Sequence, residues 1–224
     1  MTMDSLLDRW RPRLVALASA GHDGDGAHDL NHLHRVWRNA AQLLEQSTHA
    51  DALVVLAACY LHDLVNLPKN HPERHLASRQ AALLATRELA ALDFPADKLA
   101  AVAHAIESHS FSAALPARTI EAQIVQDADR LDALGAVGLA RLFYIAGRMG
   151  SALAHGDDPL AAGRPLDDRA YALDHISTKL AALPDLMQTA AGRRLGHERL
   201  AELQAFRARF MEEWAPQAAP AQVC

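Results

Sequence analysis

Almost from end to end, this chain repeats its apolar residues at the 3.6-residue helical period, and only short Gly-, Pro- or Asp-containing breaks interrupt it. That pattern leaves little room for a sheet. Ala and Leu dominate the apolar share, and only 5% of the residues are aromatic. Such a composition favours helices packed closely through small side chains over strands of β-branched and aromatic residues. The fold class read from the chain is all-α.

The breaks set the element order. Residues 4–20 form a first helix with Asp4 or Ser5 as cap, and GHDGDGAHD (21–29) is a loop. Helices follow over about 30–46 and 51–65, the second carrying the run ALVVLAACYL. Pro68 and Pro72 oppose its continuation. Residues 74–91 and about 96–108 make two more, and 109–116 is a Ser-containing loop. Residues 118–131 lead through ADRLDALG into a helix over about 133–147. Gly, Pro and Asp cluster in 150–168 as in a long surface loop. Two last helices are expected over 169–182 and 185–213, the latter open to a break near Gly192 or Gly196. With 224 residues the expectation is a single domain over 1–214, the helices of 169–213 packed on the rest, and a disordered tail over 215–224.

Bulk properties narrow the function. A net charge of -5 gives no general electrostatic attraction to a nucleic acid, although local cations can still bind phosphate. No apolar stretch approaches the roughly 20 residues of a membrane span, and charges interrupt the N-terminal segment too early for a signal peptide. Two cysteines, Cys59 and Cys224, are too few for a disulfide framework, so a reducing cytoplasm is the simplest compartment. Oligomeric state leaves no mark in the sequence.

The chemistry lies in the histidines, of which there are 13. Four places stand out: HDLNHLHRV (28–36), YLHDLVNLPKNHPER (60–74), HAIESHSFS (104–112) and VQDADRLDALGA (125–136). Imidazole nitrogen with carboxylate oxygen, without thiolate, suits Mn²⁺, Mg²⁺, Fe²⁺, Co²⁺ or Zn²⁺ in a centre that keeps open positions for water. His62-Asp63 is a weak signal alone, since His22-Asp23 and His28-Asp29 also occur. Neighbours on a helix point about 100° apart, so His62 and Asp63 share an ion only near a helix end. Asp127 and Asp129 cannot share a helix face, so one of them at most faces such an ion. His104 and His109 diverge by about 140° on an ideal helix, which puts one of them beyond its end. Cys59 reads as a small buried hydrophobe, and His34 as a surface or supporting group.

The order H…HD…D resembles the HD-domain superfamily of metal-dependent phosphohydrolases. His32 stands in H-x-x-R-V with Arg35 and Val36, His62-Asp63 at a helix end, and Asp129 in A-D-R-L-D. The resemblance covers about residues 20–150. Within the superfamily, HDLVNLPKNHPERHLAS, AIESHSFSA and QDADRLDALGAVGLAR are similar to the bacterial nucleoside triphosphate pyrophosphohydrolase subgroup. It implies an all-α fold of the HD type, one divalent ion (Mn²⁺ or Mg²⁺ foremost) and His32, His62, Asp63 and Asp129 as ligands. Just past the HD pair, Asn66, Lys69 and Arg74 are placed to meet phosphate oxygens, with Lys69 foremost, and Arg35 is a further candidate. His104 and His109 are expected to contact phosphate or water, ahead of a second ion or loop packing. The expected activity is nucleotide hydrolysis releasing pyrophosphate. The alternatives are a phosphomonoesterase, a cyclic-nucleotide phosphodiesterase or a regulatory module that binds a nucleotide without turnover.

Overall fold

Helical periodicity becomes helix over most of the computed structural model, which describes residues 3–20, 29–65, 67, 71–110 and 113–214. The described residues hold nine α-helices and no strand: α1 (Met3–Ala20), α2 (Leu30–Leu44), α3 (Ala52–Leu61), α4 (Ala77–Ala91), α5 (Leu99–His109), α6 (Ile120–Asp132), α7 (Gly135–Met149), α8 (Asp174–Thr178) and α9 (Ala190–Trp214). An isolated bridge joins Ala152 and Tyr171. None of these helices is long and apolar enough to cross a membrane. The all-α expectation holds.

The chain falls into two compact units. One runs to Asp132 and takes in Pro184–Gly196; the other comprises Ala133–Leu183 and the stretch from His197. In the first, α3 is the axis. Every residue from Leu53 to Leu61 is buried, so the helix has no polar face to give to water. It packs against α1, α2, α5 and α6, and α2 and α5 each pack against α6 as well. Small residues permit the close approach: Ala57, Ala58, Ala105, Ala122 and Ala128 are all fully buried. Truncating one of the α3 leucines to alanine is expected to cost on the order of 2–5 kcal/mol.

Capping aspartates fix where α2 and α3 begin. Asp29 accepts a hydrogen bond from the His32 N–H at 2.9 Å, and Asp51 accepts from Leu53 and Val54 at 3.0 and 3.2 Å. These bonds satisfy donors that have no partner inside the helix. The carboxylate in His28-Asp29 is thus a helix cap. At the other end, α3 stops at Leu61, four residues short of the sequence expectation, and His62 is its cap.

A third aspartate ties α6 to the start of α9. Asp127 accepts from the Gln188 and Thr189 N–H groups and from the Thr189 hydroxyl, each at 2.8 Å. The Thr189 hydroxyl oxygen in turn accepts from the Gly192 N–H at 2.9 Å. A Cβ on Gly192 would lie 2.5 Å from Asp127 Oδ2. Glycine is required there by proximity, and α9 passes both Gly192 and Gly196 unbroken.

In the second unit, the expected helix over 169–182 shortens to α8, because Lys179 at φ -133° leaves helical geometry. The segment before it is ordered without helix. Arg164 grips Asp174 through two bonds of 2.6 and 2.9 Å, and its guanidinium lies 4.6 Å from the centre of the Tyr171 ring. Residues 118–131, read as a lead-in, contain a full helix, α6, and the break falls at Ala133-Leu134.

Candidate metal centre

Four elements of the first unit deliver side chains to one point. The Asp29 cap sets the first turn of α2, so that His32 faces inward and is 1% exposed. His62 and Asp63 leave the end of α3, where the chain turns and both can face one side. Asp129 comes from α6, and His109 is the last residue of α5.

The distances show a shared focus. His32 Nε2 lies 3.7 Å from Asp63 Oδ2 and 3.5 Å from Asp129 Oδ1. His62 Nε2 lies 3.5 Å and 3.9 Å from the same two oxygens. His109 Nε2 lies 3.9 Å from Asp63 Oδ1. The donors form two overlapping groups, His32-His62-Asp129 and His62-Asp63-His109, each with its ligating atoms within 4.8 Å of one another.

What prepares the imidazoles is the far side of each ring. His62 Nδ1 meets the Cys59 carbonyl at 3.0 Å and His109 Nδ1 meets the Ile106 carbonyl at 2.6 Å. A carbonyl only accepts, so in both rings Nδ1 carries the proton and Nε2 keeps a lone pair. His32 Nδ1 meets the Asp132 carboxylate at 2.8 Å. Arg35 holds that carboxylate from the other side, Nε to Oδ1 at 2.7 Å and a terminal nitrogen to Oδ2 at 3.1 Å. Asp132 is therefore ionised and accepts from His32 as well. All three Nε2 lone pairs face the two carboxylates, an arrangement used to orient and tune metal-binding histidines.

A divalent cation fits this donor set. The Nε2 of His62 is buried without a hydrogen-bond partner among the described residues, which costs about 1–3 kcal/mol in an empty interior. Two carboxylates at the same focus repel one another unless a cation lies between them. Burial pushes the Asp129 carboxyl pKa up, but His62, His32 and His109 outweigh it and hold the net value below the ordinary range. Burial, then the neighbouring His62, lowers the His109 imidazole against the opposing pull of Asp63 and Asp129. Burial also pushes the Cys59 thiol up, so it stays protonated; its backbone carbonyl does the work here.

The remaining expected residues distribute themselves differently. His104 turns away: its Nε2 accepts the Arg118 N–H at 3.0 Å, so the structure does not bring it to the focus. Both histidines lie within α5, since the helix extends to His109; neither is beyond its end. Arg74 donates to the Leu67 carbonyl, and Arg35 is engaged with Asp132. Asn66 and Lys69, like His22 and His28, lie outside the described residues. Asp132 is the residue that sequence reasoning missed. Its signal was present in A-D-R-L-D, where two aspartates three apart share one helix face.

Comparison with known proteins agrees with this geometry. The family model described as HD domain matches residues 29–134. YpgQ of Bacillus subtilis (strain 168), an uncharacterized protein, is 35% identical over 181 residues, 79% of this chain and 80% of that one. The crystal structure of B. subtilis YpgQ in complex with ADP superposes with a TM-score of 0.70 at 28% identity, covering 99% of this chain and 98% of the other. An HD-superfamily hydrolase from Bacillus thuringiensis gives a TM-score of 0.71 at 28% identity, covering 96% and 100%.

Proposed function

This chain belongs to the HD-domain family, and on that footing we propose that it is a divalent-metal-dependent phosphohydrolase that splits nucleoside triphosphates into monophosphate and pyrophosphate. The observation that carries the reading is the convergence of imidazole Nε2 lone pairs and two carboxylates on one focus, each ring fixed from behind. His32, His62, Asp63 and Asp129 hold the ion, Mn²⁺ or Mg²⁺ by their nitrogen-and-oxygen character. Bound there, a divalent ion polarises a phosphoryl oxygen and lowers the pKa of water.

The chain's own residues do the rest. Two carboxylates against a doubly charged cation leave the centre near neutral, so a polyanionic substrate meets no net repulsion. Burial excludes bulk water around His32 and His62, which strengthens every charge interaction with a phosphate. His109, neutral at neutral pH, offers Nε2 as a proton acceptor that orients water beside Asp63. Lys69 and Asn66, on the segment following the HD pair, together with Arg74, provide positive charge and donors for phosphate oxygens. Arg35 acts through Asp132, keeping His32 in register. Water oxygen bonds to the α-phosphorus as the bond to the α,β-bridging oxygen breaks, and the electron pair leaves with pyrophosphate. The ADP complex of the related B. subtilis protein supports a nucleotide as the ligand class.

The test is a screen of nucleoside mono-, di- and triphosphates with Mn²⁺ and with Mg²⁺, with products separated. Monophosphate plus pyrophosphate is expected from triphosphates, and Asp63→Ala should abolish both metal binding and turnover while helix content persists. Release of inorganic phosphate, or opening of cyclic nucleotides alone, would reassign the bond. A protein that binds no divalent ion and hydrolyses nothing would sink the reading.

A further inference from the structure

On the side of His32 away from the carboxylate focus, the first unit carries a second set of binding groups. Arg11 of α1 and Asn31, His34, Arg35, Trp37 and Arg38 of α2 line a groove of about 620 Å³. Small-molecule sites typically span roughly 300–1,000 Å³. Asn31 lies three and four residues before His34 and Arg35, and Arg38 four and three after them, so the four form a stripe along one face of α2. The buried stripe of the same helix, with His32, Val36, Asn39 and Leu43, faces the core instead.

Three guanidinium groups therefore share one concavity in a chain whose net charge is -5. Arg11 and Arg38 form no ion pair with a carboxylate among the described residues, and both are exposed. Arg35 spends Nε and one terminal nitrogen on Asp132, which leaves its second terminal nitrogen for a ligand. Buried Tyr60 links two of the lining residues: its hydroxyl accepts from Arg11 Nε at 3.1 Å and lies 2.8 Å from His34 Nδ1. The hydroxyl's own proton is then free to go to Nδ1, so His34 presents an Nε2–H donor. Arg11, His34, Arg35 and Arg38 thus line the groove with hydrogen-bond donors, Asn31 gives an amide hydrogen to Asp29 at 2.9 Å, and half-buried Trp37 adds a flat wall with a single indole N–H. Guanidinium forks match phosphate oxygens in geometry and charge, and an indole suits a planar base.

We propose that this groove is a second nucleotide site, binding a nucleoside polyphosphate with its phosphates on Arg11, Arg35 and Arg38 and its base against Trp37. The ligand here is bound and not hydrolysed. His32 and Asp132 separate it from the focus: Nδ1 and Arg35 lie on one side of the imidazole, and Nε2 with the aspartates on the other. The proposal does not rest on the hydrolase reading, because binding can be measured where hydrolysis is impossible.

Calorimetric titration of the full chain in excess EDTA, with adenosine triphosphate and separately with inorganic triphosphate, tests it. Stripped of metal, the two-carboxylate focus repels both probes. Both should bind wild-type protein, and the Arg11→Gln/Arg38→Gln double variant should lose at least about tenfold in affinity for each. These positions are exposed, and an unchanged thermal melt will show that the fold is intact. Trp37→Leu should weaken adenosine triphosphate binding and spare inorganic triphosphate. Absence of binding, or an affinity unchanged in the double variant, overturns the site. Inorganic triphosphate binding alone, unaffected by Trp37→Leu, overturns the assignment to nucleotides.

Discussion

Asp132 touches no proposed ligand atom, yet it decides how His32 stands. Its carboxylate accepts a hydrogen bond from Nδ1 at 2.8 Å and is itself held by two Arg35 bonds. Asp132→Ala should therefore reduce metal affinity by about 10–100-fold while leaving all four proposed ligands in the chain. Titration of the variant with Mn²⁺, against wild type under identical conditions, measures this; equal affinity would mean that packing alone orients His32. The contrast between Asp129 and Asp132 also shows what sequence can reveal at this scale. The donor residues that meet at the focus, and their order, were legible, because His32, His62-Asp63 and Asp129 together match a family pattern. The support beneath them was harder to read: Asp132 shares a helix face with Asp129, but only the fold brings it to His32, 100 positions away. The opposite error threatened at His28-Asp29, where the aspartate of a dipeptide like the central one caps a helix.

Among the elements, starts were easier to read than ends. Asp51 is a capping residue directly before an apolar run, and α3 begins just behind it. Its end was not marked: His62 keeps helical φ and ψ of -64° and -29° while its Nδ1 bonds back to the Cys59 carbonyl, and the next turn tightens to a Leu64 N–H to Leu61 carbonyl bond at 3.3 Å. The extent of α9 was also hidden, since two glycines at 192 and 196 looked like breaks. Glycine in a helix interior costs about 1 kcal/mol relative to alanine. That propensity is overruled at 192, where a methyl would lie 2.5 Å from Asp127 Oδ2 and 2.8 Å from Thr189 Oγ1. Both atoms are committed to hydrogen bonds and have little freedom to retreat. Gly192→Ala should destabilise the protein by about 1–3 kcal/mol despite its better helix propensity. Urea unfolding of the variant decides between the two effects; a gain in stability would mean that the Asp127 contact yields without strain.

For the molecule as a whole, the proposed centre makes stability depend on metal and on pH in a defined direction. An ion held at a hundred times its dissociation constant adds about 2.7 kcal/mol. For a chain of this size each kcal/mol moves the melting temperature by about 2–4 °C. Melting at pH 7 should therefore fall by roughly 5–10 °C when EDTA removes saturating Mn²⁺. The acid limb has the same sign. His109 is held below the ordinary imidazole value, so the unfolded chain takes up a proton first as pH falls through about 6.5, and stability declines from there. Asp129 is likewise held below the carboxylate range, so its contribution is full above the ordinary carboxylate value and is lost as pH falls from there through the depressed one. Protons also compete with metal for the imidazoles, so the decline between pH 7 and 5 should be steeper with Mn²⁺ than with EDTA. A melting temperature indifferent to every divalent ion would remove the cluster from consideration as a metal site.

The HD pair hangs from α3, whose residues from Leu53 to Leu61 are buried on every side. A helix enclosed in this way has no route to solvent through local fraying; its amide hydrogens exchange only when the surrounding unit comes apart. The proposed ligands His62 and Asp63 are thus anchored to a segment with one of the longest native lifetimes in the chain. Opening of a peripheral helix leaves that anchor standing, whereas any event that frees α3 dissolves core and site together. Loss of the site and loss of the fold become, at this position, a single kinetic event.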